Sequence, residues 1–90
     1  MGGVMGGALF TLADLAFAAA ANSDCIAQDQ PLQWVSLESN IHYLSNSSDN
    51  LLTANAKSIK QGTRTCFYHI DICDSKGKLL ATVETTGMKI

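Results

Sequence analysis

The first 56 residues contain no lysine or arginine, and all six basic residues follow from Lys57 onward. A secretory signal peptide needs a positively charged segment before its apolar core, so the apolar run near the N-terminus does not fit one. That run also carries Asp14 in its middle. A carboxylate is costly in a bilayer, and the run is shorter than the about 20 apolar residues that span one. We therefore expect a cytoplasmic protein, outside the membrane, whose N-terminal run forms a buried helix.

Charged residues are scarce, at 16% of the chain, and proline occurs once, whereas hydrophobic residues make up 47%. This composition excludes intrinsic disorder and linker-like or collagen-like sequences. The net charge of −2 offers no electrostatic basis for binding nucleic acid. The 90 residues predict a single domain, residues 1–90. A domain of this size buries only about 60–65% of its unfolded surface, so a partner subunit would stabilise it.

Cysteines and histidines give no recognisable site. The three cysteines, Cys25, Cys66 and Cys73, are odd in number and contain no C-x-x-C pair. Neither His42 nor His69 has zinc-ligand spacing to them. We therefore predict reduced, buried thiols and no metal site. A cysteine nucleophile paired with one of the histidines is an alternative without specific support in the sequence.

Residues 8–22 are rich in alanine and leucine, which predicts a helix after a glycine-rich loop over residues 1–7. The segment is apolar nearly all round, so we expect it to be buried on every side. Its only internal polar side chains, Thr11 and Asp14, are three residues apart and therefore share one face.

The remaining sequence alternates between apolar and polar residues, as strands do. We predict a four-strand antiparallel meander over residues 33–44, 51–59, 64–73 and 79–88. In the first strand, the alternation predicts one face with Val35, Leu37, Ile41 and Tyr43 and another with Ser36, Glu38, Asn40 and His42. Turns are expected over residues 45–50, 60–63 and 74–78, the last with Gly77 at positive φ. One helix packed on such a sheet gives the α+β class.

Two features of the helix carry chemistry. Asp14 has no cation within one helical turn, so it is a candidate base or nucleophile if it lines a pocket. Gly6 and Gly7 place unobstructed backbone N–H groups at the predicted helix start, where they could polarise a carbonyl. The alternatives are an Asp14 that faces solvent or bonds to a strand, and a glycine turn that only lets the helix begin.

Residues 6–23, GGALFTLADLAFAAAANS, closely resemble the core-helix signature of hotdog-fold acyl-CoA thioesterases of the phenylacetic-acid-degradation (PaaI-like) type. Three later segments are also similar to that family: VSL with IHYL in residues 35–44, KQGTR in residues 60–64, and DSKGKLLA in residues 74–81. The resemblance implies a hotdog fold, in which an antiparallel sheet wraps one buried central helix.

The resemblance also implies functional roles. Asp14 matches the catalytic carboxylate, and Gly6 matches the glycine whose N–H polarises the thioester carbonyl. Ser36 matches a residue that orients the attacking water in some members. Implied substrate-binding residues are Gly7, Asn22, Tyr43, Lys60 and Arg64, with a capping role as the alternative for Asn22. No cofactor is implied, because coenzyme A is part of the substrate, and the expected assembly is a homodimer or homotetramer.

Two departures from the family pattern bear on activity. The family's histidine before Gly-Gly is Met5 here. The family also has residues before this motif, including a first strand and an asparagine, so the chain is expected to be N-terminally truncated relative to it. The expected function is hydrolysis of acyl-CoA to free acid and CoA. The alternatives are a catalytically weak domain that binds acyl-CoA or forms a structural dimer, and a small exported protein.

Overall fold

The chain forms two consecutive helices followed by four antiparallel strands. A computed structural model describes residues 2–45 and 51–90, with the backbone alone for residues 2–7. The elements are α1 (Gly2–Ala21), α2 (Ser23–Ala27), β1 (Trp34–Tyr43), β2 (Leu52–Gln61), β3 (Thr65–Asp74) and β4 (Leu79–Lys89). The predicted α+β class is confirmed, with α1 packed on one face of the sheet. Of the turn predicted over residues 45–50, all but Ser45 lies outside the described residues.

The strand order is β1-β4-β3-β2, which corrects the predicted meander. Consecutive strands pair antiparallel from β2 to β4, as expected, but β1 pairs with β4 instead of β2. Alternation along one strand shows which residues share a face, and it carries no information on which strand lies alongside. Within the described residues, β1 and β2 are the two edges of the sheet.

A β-bulge at Leu37 reverses the predicted facing at the start of β1. Ser36 lies opposite Gly87 and Glu38 lies opposite Thr86, so one extra residue stands between two successive pairs. An inserted residue moves everything before it to the other face of the sheet. Ser36 therefore faces α1 together with Ile41, whereas Val35 faces away with Glu38. The predicted alternation was wrong for this part of the strand.

The helix α1 buries one side only. Leu9, Ala13 and Phe17 recur every four residues and are at most 2% exposed, whereas Phe10 is 41% exposed and Leu15 is 63% exposed. The prediction of a helix buried on every side is therefore wrong for the single chain, because one sheet covers only one side. The buried core also includes Trp34, Cys66, Tyr68, Ile70, Ile72, Ala81 and Val83.

Glycine at position 87 lets α1 approach the sheet closely. A Cβ added there would lie 2.5 Å from Cζ of Phe17 and 2.7 Å from Sγ of Cys66. The Phe17 ring also meets Tyr68 edge-on, with the ring centroids 5.6 Å apart. Close backbone approach of this kind is a known reason for glycine inside a strand.

We predict that Gly87→Ala destabilises the protein by about 1–3 kcal/mol, because the added methyl overpacks the contact between helix and sheet. The free energy of unfolding in urea measures this effect. Phe17→Leu should cost less in the Gly87→Ala background than in the parent, because the smaller side chain makes room for the methyl. A loss below about 0.5 kcal/mol for Gly87→Ala, which is the range of neutral surface changes, would contradict the close approach.

Candidate functional site

Asp14 is exposed on α1. It shares this exposed side of the helix with Phe10, Thr11 and Leu15. The alternative in which Asp14 faces solvent therefore describes the single chain. The carboxylate nevertheless stands in an apolar surface, since Phe10 and Leu15 are large and uncovered. Contiguous apolar surface of this kind typically marks a place where a ligand or another chain binds.

The helix begins at Gly2, which corrects the expected start after Gly7. Only the first four N–H groups of a helix lack a partner within it, so Gly6 lies beyond them. Gly6 and Asp14 are on the same helix, eight residues apart, which corresponds to about 12 Å along the axis. Residues 2–7 include four glycines, each costing about 1 kcal/mol relative to alanine in a helix, so the first turns are held weakly.

The Leu37 bulge brings Ser36 to the side of the sheet that carries α1. The Ser36 hydroxyl lies 3.3 Å from that of Ser39, and the Ser39 hydroxyl lies 3.0 Å from Oγ1 of the buried Thr85. Ser36 is the exposed end of this row of hydroxyls. Within the described part of the chain no hydrogen bond joins Ser36 to Asp14, so the single chain presents these groups without linking them.

The Asn22 side chain connects the end of α1 to the start of β1. Its Nδ2 donates to the carbonyl oxygens of Ala18 at 3.0 Å and Trp34 at 3.1 Å. Its Oδ1 accepts from the backbone N–H of Gln33 at 2.9 Å and of Trp34 at 2.8 Å. The residue is 1% exposed, and an amide has two N–H donors and two oxygen lone pairs, so all four positions are taken.

This geometry argues against the substrate-binding interpretation of Asn22 and agrees with the alternative, a cap at the end of α1, because Nδ2 donates to the carbonyl oxygen of Ala18 in the last turn of that helix. A fully buried amide with every hydrogen-bonding position filled has nothing left for substrate. The Asn22 side chain also caps no N–H of α2. Asn22 therefore has a structural role: it fixes the position of the end of α1 relative to the start of β1.

Arg64 lines a groove of about 560 Å³ at one end of the sheet, and the groove also contains Lys89. The backbone N–H of Lys89 donates to the carbonyl oxygen of Arg64 at 2.8 Å, which holds the two cationic residues side by side. The other lining residues are Thr63, Thr65, Met88 and Ile90. Sequence reasoning missed Lys89, because a single lysine after Gly-Met carries no motif and only strand pairing brings it to Arg64.

Two further predicted substrate-binding residues, Lys60 and Tyr43, lie outside this groove. Lys60 stands opposite Phe67 on the sheet face turned away from α1. Tyr43 is 54% exposed at the far end of β1, opposite Ala81, whereas the groove lies near the end where Trp34 faces Lys89. The structure therefore places Arg64 beside Lys89 and far from Tyr43.

The cysteines and histidines form no nucleophilic pair within the described residues. Cys66 is buried against α1, and burial raises the pKa of its thiol. His69 faces the other side of the sheet, where Nε2 lies 2.7 Å from Asp71 and Nδ1 lies 3.3 Å from Glu84. The hydrogen bond to Asp71 is the main cause that raises the pKa of His69, and Glu84 adds to it.

Two further types of site receive no support from the described residues. Among residues 2–45 and 51–90, no three His, Cys, Asp or Glu side chains lie close enough together to hold a metal ion. None of the described helices has the length and apolar content needed to span a membrane.

Comparison with solved structures gives several similar folds. PaaI from the phenylacetic acid degradation operon of E. coli is 36% identical, with a TM-score of 0.81. A mutant of the phenylacetic acid degradation protein PaaI from Thermus thermophilus is 29% identical, with a TM-score of 0.78. A hypothetical thioesterase from Streptococcus pneumoniae, crystallised with coenzyme A, is 29% identical, with a TM-score of 0.77.

These matches cover almost all of this chain and only part of each relative. They include 94%, 94% and 93% of this chain and 58%, 68% and 64% of the E. coli, Thermus and Streptococcus chains, respectively. A search of curated protein sequences gave no match. The helix-and-sheet architecture is the hotdog fold that the resemblance implied. The sequence model of the thioesterase superfamily matches residues 1–81, and the chain therefore belongs to that superfamily.

Proposed function

We propose that this chain hydrolyses acyl-CoA thioesters, with Asp14 as the catalytic carboxylate. The observation that carries the proposal is the position of Asp14, a lone carboxylate among exposed apolar side chains on α1. Membership of the thioesterase superfamily and the likeness to a protein crystallised with coenzyme A support the same chemistry. We also propose a cytoplasmic location, which fits this substrate class.

The site needs two chains. An oxyanion donor and a base must each come within about 3 Å of the reacting carbonyl or its water. Gly6 and Asp14 on one helix are about 12 Å apart, which is too far for one reacting group. Two antiparallel helices across a two-fold axis would set Gly6 of one chain beside Asp14 of the other. This pairing would also cover Phe10 and Leu15 and would let the edge strand β1 pair with its twin.

In the proposed reaction Asp14 takes a proton from water, and the oxygen of that water bonds to the thioester carbonyl carbon. The carbonyl π electrons move onto its oxygen, which the Gly6 N–H of the partner subunit stabilises. The C–S bond then breaks as the carbonyl reforms, and the proton passes to the CoA sulfur. Direct attack by the Asp14 carboxylate, followed by hydrolysis of the mixed anhydride, gives the same products. Ser36 would orient the water.

Gly6 can donate its N–H only if the residues before it leave the helix. The glycine content of the first turns makes this change inexpensive. The observed start at Gly2 and the presence of Met5 instead of the family's histidine favour a second candidate, a catalytically weak domain that binds acyl-CoA or forms a structural dimer. Release of free thiol from short-chain and aryl acyl-CoAs distinguishes the two candidates.

We further propose that Arg64 and Lys89, in place of the pair Lys60 and Arg64, bind the phosphates of CoA. Both residues line one groove and are linked through the backbone. A guanidinium beside an ammonium group suits a diphosphate, because the first gives paired hydrogen bonds and the second a compact charge.

Asp14→Asn is predicted to lower kcat by about 10²- to 10⁴-fold, because the amide cannot accept the proton of water. The change is nearly isosteric at an exposed position, so folding should be preserved. Asp24→Asn, the same substitution at an exposed position on α2, is the matched control and should leave kcat unchanged. Full activity of Asp14→Asn would refute the assignment.

Arg64→Gln and Lys89→Gln are each predicted to raise KM by about tenfold with little change in kcat, because binding to phosphates is the same in ground and transition states. The effect should shrink at high salt, since these charges are exposed and screened. Lys76→Gln removes the same charge in the turn between β3 and β4 and is the control. An equal loss of kcat and kcat/KM would indicate a role in the chemical step.

Mixing two inactive variants tests the shared site. Asp14→Asn and Gly6→Pro each damage both sites of a homodimer, but a mixed dimer contains one site with neither lesion. Part of the activity should therefore return after subunit exchange, measured by thiol release. If Gly6→Pro does not fold, Gly6→Trp, which would block the carbonyl position, takes its place. No recovery despite proven exchange, or a fully active monomer, would refute a site built from two chains.

A further inference from the structure

Three hydroxyl groups, here called the hydroxyl row, lie on the face of the sheet that carries α1. The row joins Ser36 to Ser39 on β1, with 3.3 Å between the oxygens, and Ser39 to Thr85 on β4 at 3.0 Å. Its surroundings on this face are apolar and include Val83 and Cys66. A buried hydroxyl in such surroundings is costly unless it is hydrogen-bonded. Valine would fill nearly the same space as Thr85, so packing alone does not account for the threonine.

The β-bulge at Leu37 is what allows two serines of one strand to meet. In a regular strand, residues three apart point to opposite faces of the sheet. The extra residue at Leu37 shifts Ser36 to the face of Ser39, so that Ser36 lies opposite Gly87 and Ser39 lies opposite Thr85. Bulges are frequent beside active sites, where they redirect a side chain. The redirected side chain here is that of Ser36, the residue proposed to orient the attacking water.

The hydroxyl row leads from solvent into the core. Ser36 is exposed, Ser39 is half-buried, and Thr85 is 3% exposed. A β-branched side chain such as threonine is stiff about its first side-chain bond, and burial restricts it further. An exposed serine by itself rotates among three rotamers. Hydrogen bonds that start from a fixed, buried end therefore restrict the rotation of the exposed end.

We propose that Ser39 and Thr85 are positioning residues that hold the Ser36 hydroxyl in place for the attacking water. The inference rests on the proposed function, in which Ser36 contacts that water and Asp14 takes its proton. Neither Ser39 nor Thr85 contacts the reacting atoms. Ser39 acts through its hydrogen bond with Ser36, and Thr85 acts through its hydrogen bond with Ser39.

The buried end of the row sets the direction of its hydrogen bonds. Within residues 2–45 and 51–90, Ser39 is the one hydrogen-bond partner of the Thr85 hydroxyl. Buried donors without an acceptor are rarer than buried acceptors with an unused lone pair, so Thr85 donates to Ser39 and Ser39 donates to Ser36. Ser36 then has its own hydrogen free to point outward. This hydrogen can bond to one lone pair of the water, and the other lone pair remains for the carbonyl carbon.

Ser36→Ala, Ser39→Ala and Thr85→Val each remove one hydroxyl from the row. Ser36→Ala should lower kcat for acyl-CoA hydrolysis by about tenfold, and the other two by about three- to tenfold. The KM should stay nearly unchanged, because misplacement of the reacting groups affects the chemical step. Thr85→Ser keeps the hydroxyl and should retain most of the parental kcat. Thr86→Val removes a hydroxyl from the next residue of β4, on the other face, and is the matched control that should leave kcat unchanged.

Double variants show whether Ser39 and Thr85 act through Ser36. Ser36→Ala combined with Ser39→Ala should lower kcat no further than Ser36→Ala alone, and the same should hold for Ser36→Ala combined with Thr85→Val. Multiplied losses in the double variants would overturn the proposal, because the residues would then act independently. Parental kcat in Ser36→Ala, or in both Ser39→Ala and Thr85→Val, would overturn it as well.

The rotamer of Ser36 gives a readout that does not depend on activity. NMR couplings between its Hα and Hβ protons should indicate one fixed rotamer in the parent and averaging over rotamers in Ser39→Ala and Thr85→Val. Averaging in the parent, or a fixed rotamer in both variants, would contradict the positioning role. A parent chain that releases no thiol would refute the proposed function, and the couplings would then still decide whether the hydroxyl row holds Ser36.

Discussion

The close approach of Phe17 to Gly87 is the contact on which the rest of the structure depends. Only a glycine leaves room for the ring, and the ring in turn fixes the height and rotation of α1 over β3 and β4. Asn22 fixes the position of the C-terminal end of α1, because its side-chain amide hydrogen-bonds both to the last turn of α1 and to the first residues of β1. Together, the Phe17 contact and the Asn22 hydrogen bonds fix the orientation of α1 relative to the sheet. They therefore also fix where its exposed side, including Asp14, points.

The packing of α1 on the sheet also leaves part of the apolar surface of the helix exposed in the single chain. A sheet of four strands covers one side of a helix, and α1 is apolar on more than one side. Burying Phe10 and Leu15 against a second helix would contribute apolar burial that a chain of 90 residues lacks within itself. Stability and the catalytic role proposed for Asp14 would both require this pairing of helices, because the exposed apolar surface of α1 also carries the carboxylate.

The two faces of the sheet differ in composition. The face toward α1 is apolar with one short row of hydroxyls, and the bulge at Leu37 is what brings Ser36 into that row. The face turned away from α1 is charged and half-exposed, and His69 lies there between the carboxylates of Asp71 and Glu84. A single residue inserted in β1 thus decides which side chains at the start of that strand face α1 and which face away from it.

The sequence by itself determined the α+β class, the main helix and the four strands, although it missed α2 and the first turns of α1. Alanine and leucine content predicted α1, alternation predicted four strands near their observed positions, and the Asp-Ser-Lys-Gly turn predicted Gly77 at positive φ, observed at 84°. These are local properties, because propensity and period act over a few residues. The superfamily was also readable, since the Leu-Ala-Asp helix is a contiguous motif.

Only the tertiary structure decided what depends on distant residues. The position of β1 beside β4 and the pairing of Arg64 with Lys89 come from sheet register, which no single segment encodes. The bulge at Leu37 and the four hydrogen bonds of Asn22 follow from how β1 meets its neighbours. The exposure of Asp14 likewise reflects how much of α1 one sheet covers, a quantity set by packing and not by the helix sequence.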